Sequence, residues 1–349
     1  MDLEPEVYCT PVTAKLSALL ARDTLKIAER KGHIIPYYNE EIQEFERKVR
    51  PKGYRDAFMT NGYSACFHDA GHIPGSSMVH IGKDKQTLFY TGDINTIKTE
   101  LQKGADTEFP ESDILLIEST YFGRDHTPRN ILEERFIESI RETIDGGGRA
   151  IIPAFSIGRT QEIMLILKKH GLRAYVDGMG VDVYNLIKRS PEYVNDIKKL
   201  ENAFTSSNIV KREDREAIIN EPSIIVTSAG MLNGGPVLYY IDEIYDDPKS
   251  KIHLTGYQAE DTNGRKALES RYIENGKRTV RLNCRLELYD FSAHCGDEQL
   301  KDVVKTFCDR GTETVIAVHG DNTEGFAKWI KEDIGVESFA PANNEKISI

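Results

Sequence analysis

Four short runs of β-branched and aliphatic residues constrain this chain more than anything else in it. They are Ile114-Leu115-Leu116-Ile117, Ala150-Ile151-Ile152, Ile224-Ile225-Val226 and Val315-Ile316-Ala317-Val318. None shows the polar alternation of a half-exposed strand, so each is expected to be buried on both faces and covered by helices. Each run also stops at a polar group or a small loop: Glu118, the loop to Ser156, Thr227-Ser228 and His319. The fold class this predicts is α/β. In such layered folds ligands gather where strands end. The length, 349 residues, at roughly 150 residues per domain suggests about two domains.

The rest of the chain fits the same grammar. Residues 54–93 read as strands and turns, with Met59 to Cys66 and Ser77 to Gly92 extended and Thr87-Leu88-Phe89-Tyr90 stopping at Gly92-Asp93. Thr10-Pro11 is a cap followed by a proline, the start of a helix to about Arg30. Gln161 to Lys169 and Asp297 to Cys308 read as helices, the latter with Asp297 at the cap position. Lys188 to Asn220 is the most polar stretch and reads as surface helices and loops. No internal repeat, low-complexity tract or long linker interrupts the pattern.

Composition excludes several classes of function. Lys+Arg is 45 and Asp+Glu 56, a net charge of −11, which excludes coating nucleic acid by bulk charge but leaves room for a local basic groove. No apolar run approaches the roughly 18 residues of a membrane span, so no membrane partner is expected. The opening Met1-Asp2-Leu3-Glu4-Pro5-Glu6 is acidic and unlike a secretory leader. The five cysteines are scattered and never spaced C-x-x-C, which points to a reducing cytoplasm.

Histidines and carboxylates recur at the predicted strand ends. His72 lies in the glycine-bracketed Gly71-His72-Ile73-Pro74-Gly75, where small neighbours let the backbone approach a metal. His68-Asp69-Ala70-Gly71-His72 lacks the glutamate of a metalloprotease helix, and its Gly and Pro oppose a helix. Asp93, Glu118, His294 and His319 complete the set, the ligand chemistry that zinc accepts. Taken singly, each admits an ordinary structural role. His33, His126, His170 and His253 have no such neighbourhood and read as structural or surface residues. Three loop regions look suited to phosphate. Phe155-Ser156-Ile157-Gly158-Arg159 leads into a helix, where amides, Ser156 and Arg159 would hold an anion. Gly256-Tyr257-Gln258, Thr262-Asn263-Gly264-Arg265 and Ser228-Ala229-Gly230-Met231 offer similar cradles, with ordinary turn chemistry as the alternative.

In this order the set resembles the β-CASP branch of the metallo-β-lactamase superfamily, in its RNA-acting members: the cleavage-and-polyadenylation specificity factor endonuclease, its archaeal homologues and the RNase J group. The match runs along essentially the whole chain. His72 resembles the third metal motif and Asp93 the fourth, a carboxylate shared by two zincs. Ile117-Glu118-Ser119-Thr120-Tyr121 is similar to motif A, Phe291-Ser292-Ala293-His294 to motif B and Val318-His319-Gly320-Asp321 to motif C. DNA-processing relatives usually carry Asp at motif A and Val at motif C, so Glu118 and His319 favour RNA.

The resemblance implies an αββα metallo-β-lactamase domain formed by residues 1–124 and 286–349, with a β-CASP domain inserted at 125–285 to cap the cleft. It implies hydrolysis of RNA phosphodiesters at two zincs held through His72, Asp93 and His319. His294, oriented by Glu118, would be the general acid, and a 5′ phosphate would result. Ser156, Arg159, Gly230, Thr262 and Arg265 would bind the RNA backbone. Asp261 stands where relatives often have Gly. The family's H-x-H-x-D-H motif, expected just upstream of Glu6 to Thr10, is absent, so a shortened chain with weak zinc binding and little cleavage is expected. A homodimer or an RNA-processing complex is the implied assembly. Two other functions compete: a non-catalytic RNA-processing scaffold, which the missing motif fits, and a small-molecule metallo-hydrolase, which the long insert disfavours. A DNA nuclease is disfavoured by His319.

Overall fold

The computed structural model describes residues 5–276 and 278–348; the first four residues of the acidic opening lie outside them. The chain forms two compact units. One comprises residues 1–98, 102–125 and 293–349, and the other residues 99–101 and 126–292. The chain thus leaves the first unit after residue 125 and returns to it at residue 293.

The first unit is built on a seven-stranded mixed sheet in the order Glu337–Phe339, Thr314–Val318, Ile114–Glu118, Gln86–Tyr90, Ser77–Lys83, Tyr63–Asp69, Phe58–Thr60. The first four strands run parallel and the rest pair antiparallel. A short parallel ribbon pairs Val7–Cys9 with Val49–Pro51. The apolar runs are buried as their composition requires: Leu115, Ile117, Val315 and Ala317 are fully inaccessible. Helix Asp297–Cys308 covers them with Leu300, Val303, Val304 and Phe307, the i, i+3, i+4, i+7 stripe of an amphipathic helix. Phe307 packs on Phe89 and Phe109, with ring centroids 4.9 and 4.6 Å away.

Local signals explain the helix ends. Pro11 opens helix Pro11–Lys31, Thr10 Oγ1 accepts from Thr13 N, and Gly32 closes it in the left-handed region at φ 64°. One cap differs from expectation. Gly296, not Asp297, is the cap residue of helix Asp297–Cys308, and its N–H donates to Gln299 Oε1 at 2.9 Å. Asp297 is the first helical residue, and its carboxylate accepts from Gly123 N at 2.9 Å.

The second unit carries a six-stranded, all-parallel sheet in the order Asn208–Ile209, Tyr175–Asp177, Ile224–Thr227, Ala150–Pro153, Lys251–Leu254, Arg285–Leu288. Its central strands are buried throughout. Val237, Tyr240, Ile241 and Ala267 pack with Ile151, Ile225 and Ile252 in one core. In helix Arg159–Lys169 every residue from Thr160 to Leu167 is buried. The polar Lys188 to Asn220 stretch supplies the edge strand Asn208–Ile209 between short helices.

Candidate metal and acid–base site

Parallel pairing brings the first unit's polar residues together. Val318 pairs with Glu118 and Tyr90 with Leu116, so three neighbouring strands end side by side, just before His319, at Glu118 and just before Asp93. Two cross-links lock these ends. Ser119 N and Thr120 Oγ1 donate to His319 O at 3.1 and 3.2 Å, and Thr91 N donates to Leu116 O at 3.0 Å. Strand Tyr63–Asp69 runs to the same edge and delivers His72 through Ala70 and Gly71. Gly71 is at φ 67°, and a Cβ there would lie 2.3 Å from both Ala105 N and Asn95 O, so only glycine fits this turn.

Glu118 is 1% exposed, and its carboxylate is engaged on all sides. Ile94 N donates to Oε1 at 2.7 Å, and His294 Nδ1 lies 2.9 Å from both carboxylate oxygens. Burial alone would raise this carboxyl, but His294, Thr120 and Ile94 outweigh it and hold Glu118 below the ordinary glutamate value. The pair fixes the histidine tautomer, with the proton on Nδ1 facing the carboxylate.

His72 is fixed in the same way by a different partner. Its Nδ1 lies 2.9 Å from the carbonyl oxygen of Ala293, which presents Nε2 to Asp93 Oδ2 at 3.8 Å. His319 Nε2 lies 3.4 Å from the other carboxylate oxygen, Oδ1. Both spacings are long for hydrogen bonds, but they suit donors sharing a cation whose bonds to nitrogen and oxygen are about 2.0–2.2 Å. His72, Asp93 and His294 each offer a ligand atom within 4.8 Å of the others'. The His72 and His294 rings are 4.5 Å apart at their centroids. Burial, with His294 beside it, lowers the His72 imidazole below its usual value, so the ring is kept neutral and able to donate a lone pair. His319 adopts φ 51° and is the most exposed of the three histidines. The donor set therefore fits a borderline cation such as zinc, with Asp93 offering one oxygen to each side.

The five residues expected to bind RNA lie together in the second unit, at the C-terminal ends of its parallel strands. Ser156 precedes helix Arg159–Lys169 and Arg159 is its first residue. Gly230 packs so closely on this loop that a Cβ would lie 2.9 Å from Phe155 N. Thr262 is a helix cap: its Oγ1 accepts from Arg265 N at 3.3 Å and donates to Ala259 O at 2.6 Å. Arg265 Nε donates to Glu269 at 2.5 Å. Asp261 stands at φ 61°, a conformation that favours glycine. Two groups that sequence patterns do not reveal are the Ala293 carbonyl and the Ile94 amide, because every residue has them and only the fold aims them.

Comparison with known proteins gives the family. Residues 160–267 match the Beta-Casp domain, and residues 279–341 match the Zn-dependent metallo-hydrolase RNA specificity domain. The chain is 37% identical to "Probable RNase MJ4" of Methanocaldococcus jannaschii over 99% of its own length and 83% of that protein's. It is 35% identical to "RNase aCSPSF2" of Saccharolobus solfataricus, covering all of this chain and 70% of that one. It is 31% identical to "Transcription termination factor FttA" of Methanocaldococcus jannaschii over 98% of this chain and 59% of the other. With these two domain matches and this degree of identity, the chain belongs to the RNA-acting β-CASP family of metallo-β-lactamase-type hydrolases.

Proposed function

We propose that this protein hydrolyses RNA phosphodiester bonds at a zinc-dependent centre, in RNA maturation, 3′-end processing or decay. The observation that carries this reading is the Glu118–His294 pair set beside the His72, Asp93 and His319 donors. His72 and Asp93 would hold one ion, and Asp93 and His319 a second. When bound, zinc supplies charge neutralisation at the phosphoryl group and an acidified attacking water. His294 is the general acid. Glu118 holds its Nδ1 proton, steadies the ring, and favours the protonated state that donates to the leaving 3′ oxygen from Nε2. The products would carry a 5′ phosphate. Ser156, Arg159, Gly230, Thr262 and Arg265 form the RNA-backbone surface, with guanidinium groups suited to bidentate phosphate contacts. Five free thiols suit the reducing cytoplasm that this reading assumes. A homodimer or a larger RNA-processing assembly is part of the same reading.

A second reading rests on the donor count. Catalytic zinc is usually held by about three protein ligands, and with His294 kept for proton transfer the described residues leave His72 and Asp93 at one position and Asp93 and His319 at the other. Weak metal retention with RNA binding, a scaffold rather than a nuclease, follows if that count is decisive. Metal content and cleavage of end-labelled single-stranded RNA, measured on the same preparation, separate the two readings. Bound zinc together with cleavage that disappears in Asp93→Asn and in His294→Ala supports the nuclease. RNA binding with no cleavage at saturating zinc overturns it in favour of the scaffold.

A further inference from the structure

Three loops of the second unit meet at one buried side chain. Gln258 is 3% exposed and sits just past strand Lys251–Leu254. Its Nε2 lies 2.8 Å from Gly256 O, 3.2 Å from Tyr257 O and 3.2 Å from Gly230 O. Three converging carbonyls can be met only by the amide's NH2 group, which settles its orientation. Its Oε1 faces Gly264, where a Cβ would fall 1.5 Å away. Gly264 N donates in turn to Met231 O at 2.9 Å. Gln258 therefore ties the Gly230–Met231 loop to its own Gly256–Gln258 turn, while the N–H of Gly264, on which its Oε1 packs, ties the start of helix Asn263–Ser270 to the same loop. Because Gly230 packs on the backbone of Phe155, the brace continues to the loop that carries Ser156 and Arg159.

Gln258 Oε1 is buried with no hydrogen-bond partner among the described residues. A buried acceptor left unpaired costs about 1–3 kcal/mol, so packing stability alone is a poor account of an amide here. The NH2 group is the useful part. It ties the Gly256–Gln258 turn to Gly230, whose loop packs on the loop that carries Arg159 and accepts at Met231 O from the helix start that carries Arg265.

We infer that Gln258 is a positioning residue for RNA, holding the phosphate-binding loops at the spacing in which both arginines engage one strand. This inference rests on the proposed RNA-backbone grip of those loops. Without the brace, each loop must be ordered at the moment of binding, which weakens affinity without removing any contact.

The test uses the full chain in a His294→Ala background, so that RNA is bound but not cut, and reads the Kd of a fluorescent single-stranded RNA by anisotropy. Gln258→Met keeps the volume and removes the donor. It is expected to weaken binding about tenfold while the melting temperature stays within about 3 °C. Gly264→Ala places a methyl where Gln258 Oε1 lies and displaces only the flexible end of that side chain, so it should weaken binding by a similar factor. The double variant should bind no more weakly than either single one, because both act through one brace. If Gln258→Met does not fold, Gly264→Ala alone decides. Parent-like affinity in Gln258→Met and Gly264→Ala, with weakened binding in Arg159→Ala and Arg265→Ala, overturns the positioning role and leaves the grip standing. Parent-like affinity in the arginine variants as well overturns the grip, and the positioning role falls with it.

Discussion

The two units solve the problem of placing polar groups at strand ends in different ways. In the first, side chains face side chains: Glu118 holds His294, and Asp93 lies between His72 and His319. Strand register and hydrogen-bonded neighbours decide their positions. In the second, the loops are held by backbone and by buried amides, while Arg159 and Arg265 are partly exposed. The difference follows from the chemistry each must do. Proton transfer and metal binding tolerate little misplacement, and here Glu118 ends a strand while His72, Asp93 and His319 follow strand ends within a few residues. Gripping a flexible polyanion needs cations at suitable spacing, which braced loops supply.

Four measurements test this contrast. Glu118→Gln leaves a group of similar size but removes the charge that steadies His294. On the proposed mechanism RNA cleavage falls by about 10²–10⁴, the range attached to a general acid, in single-turnover assays. A loss below tenfold would mean that the pair is not the acid device. In the second unit, Arg129→Ala leaves Glu162, a buried carboxylate that also accepts from Leu101 N at 2.7 Å, without its hydrogen-bonded cation and with only Arg159 to offset its charge. Breaking a buried pair costs about 3–5 kcal/mol, readable by urea denaturation, with a chemically silent effect on metal content.

Acid should probe the second unit's core next. His253 is fully buried, its Nε2 is 3.1 Å from Ser139 Oγ, and burial, then Lys251 beside it, pushes its imidazole down to about 3. The unfolded chain takes up that proton near pH 6.5, so between pH 6.5 and 3 the unfolded state binds the extra proton. Stability is therefore full above pH 6.5 and falls with acidification, by up to about 1.4 kcal/mol per pH unit from this group. Glu287, drawn down to about 2 by Lys251, Tyr289 and Ser139 against the opposing effect of burial, adds loss in the same direction below pH 4.5. His253→Gln should flatten the upper part of that slope in denaturation curves taken from pH 7 to 5. The smallest effect concerns Asp261. Asp261→Gly relieves a left-handed backbone at φ 61° and removes a negative charge beside the RNA-binding loops. RNA should bind a few-fold more tightly at low salt, and the gain should shrink as salt rises. A salt-independent change would assign the effect to the backbone instead.

Much of this was legible in the residues, for reasons that can be named. The apolar runs ending at Glu118, Pro153, Thr227 and Val318 became strands because nothing in them tolerates water on either face. Thr10 and Pro11 marked the start of a helix because caps and backbone dihedrals there are local properties. Asp297 was misplaced by one residue because Asp suits both the cap and the first turn, and Gln299 reaching back to Gly296 decided between them. His253 read only as a structural or surface residue and Lys251 drew no notice, yet both are buried with Ser139 in a polar network that reaches the exposed Glu287 across helix and sheet. Gln258 drew no more notice than its glycine neighbours, since its importance lies in which carbonyls surround it.

Sequence alone determined the α/β class, the strand-end placement of the imidazoles and carboxylates, and their kinship with a family of RNA-acting hydrolases, because burial patterns and residue chemistry are carried residue by residue. The folded arrangement alone shows that His72 is aimed by the Ala293 carbonyl, that Asp93 offers one oxygen to each of two histidines, and that one glutamine ties its own turn to the Gly230 loop. Those are distances between groups far apart in the chain, fixed by strand register and packing.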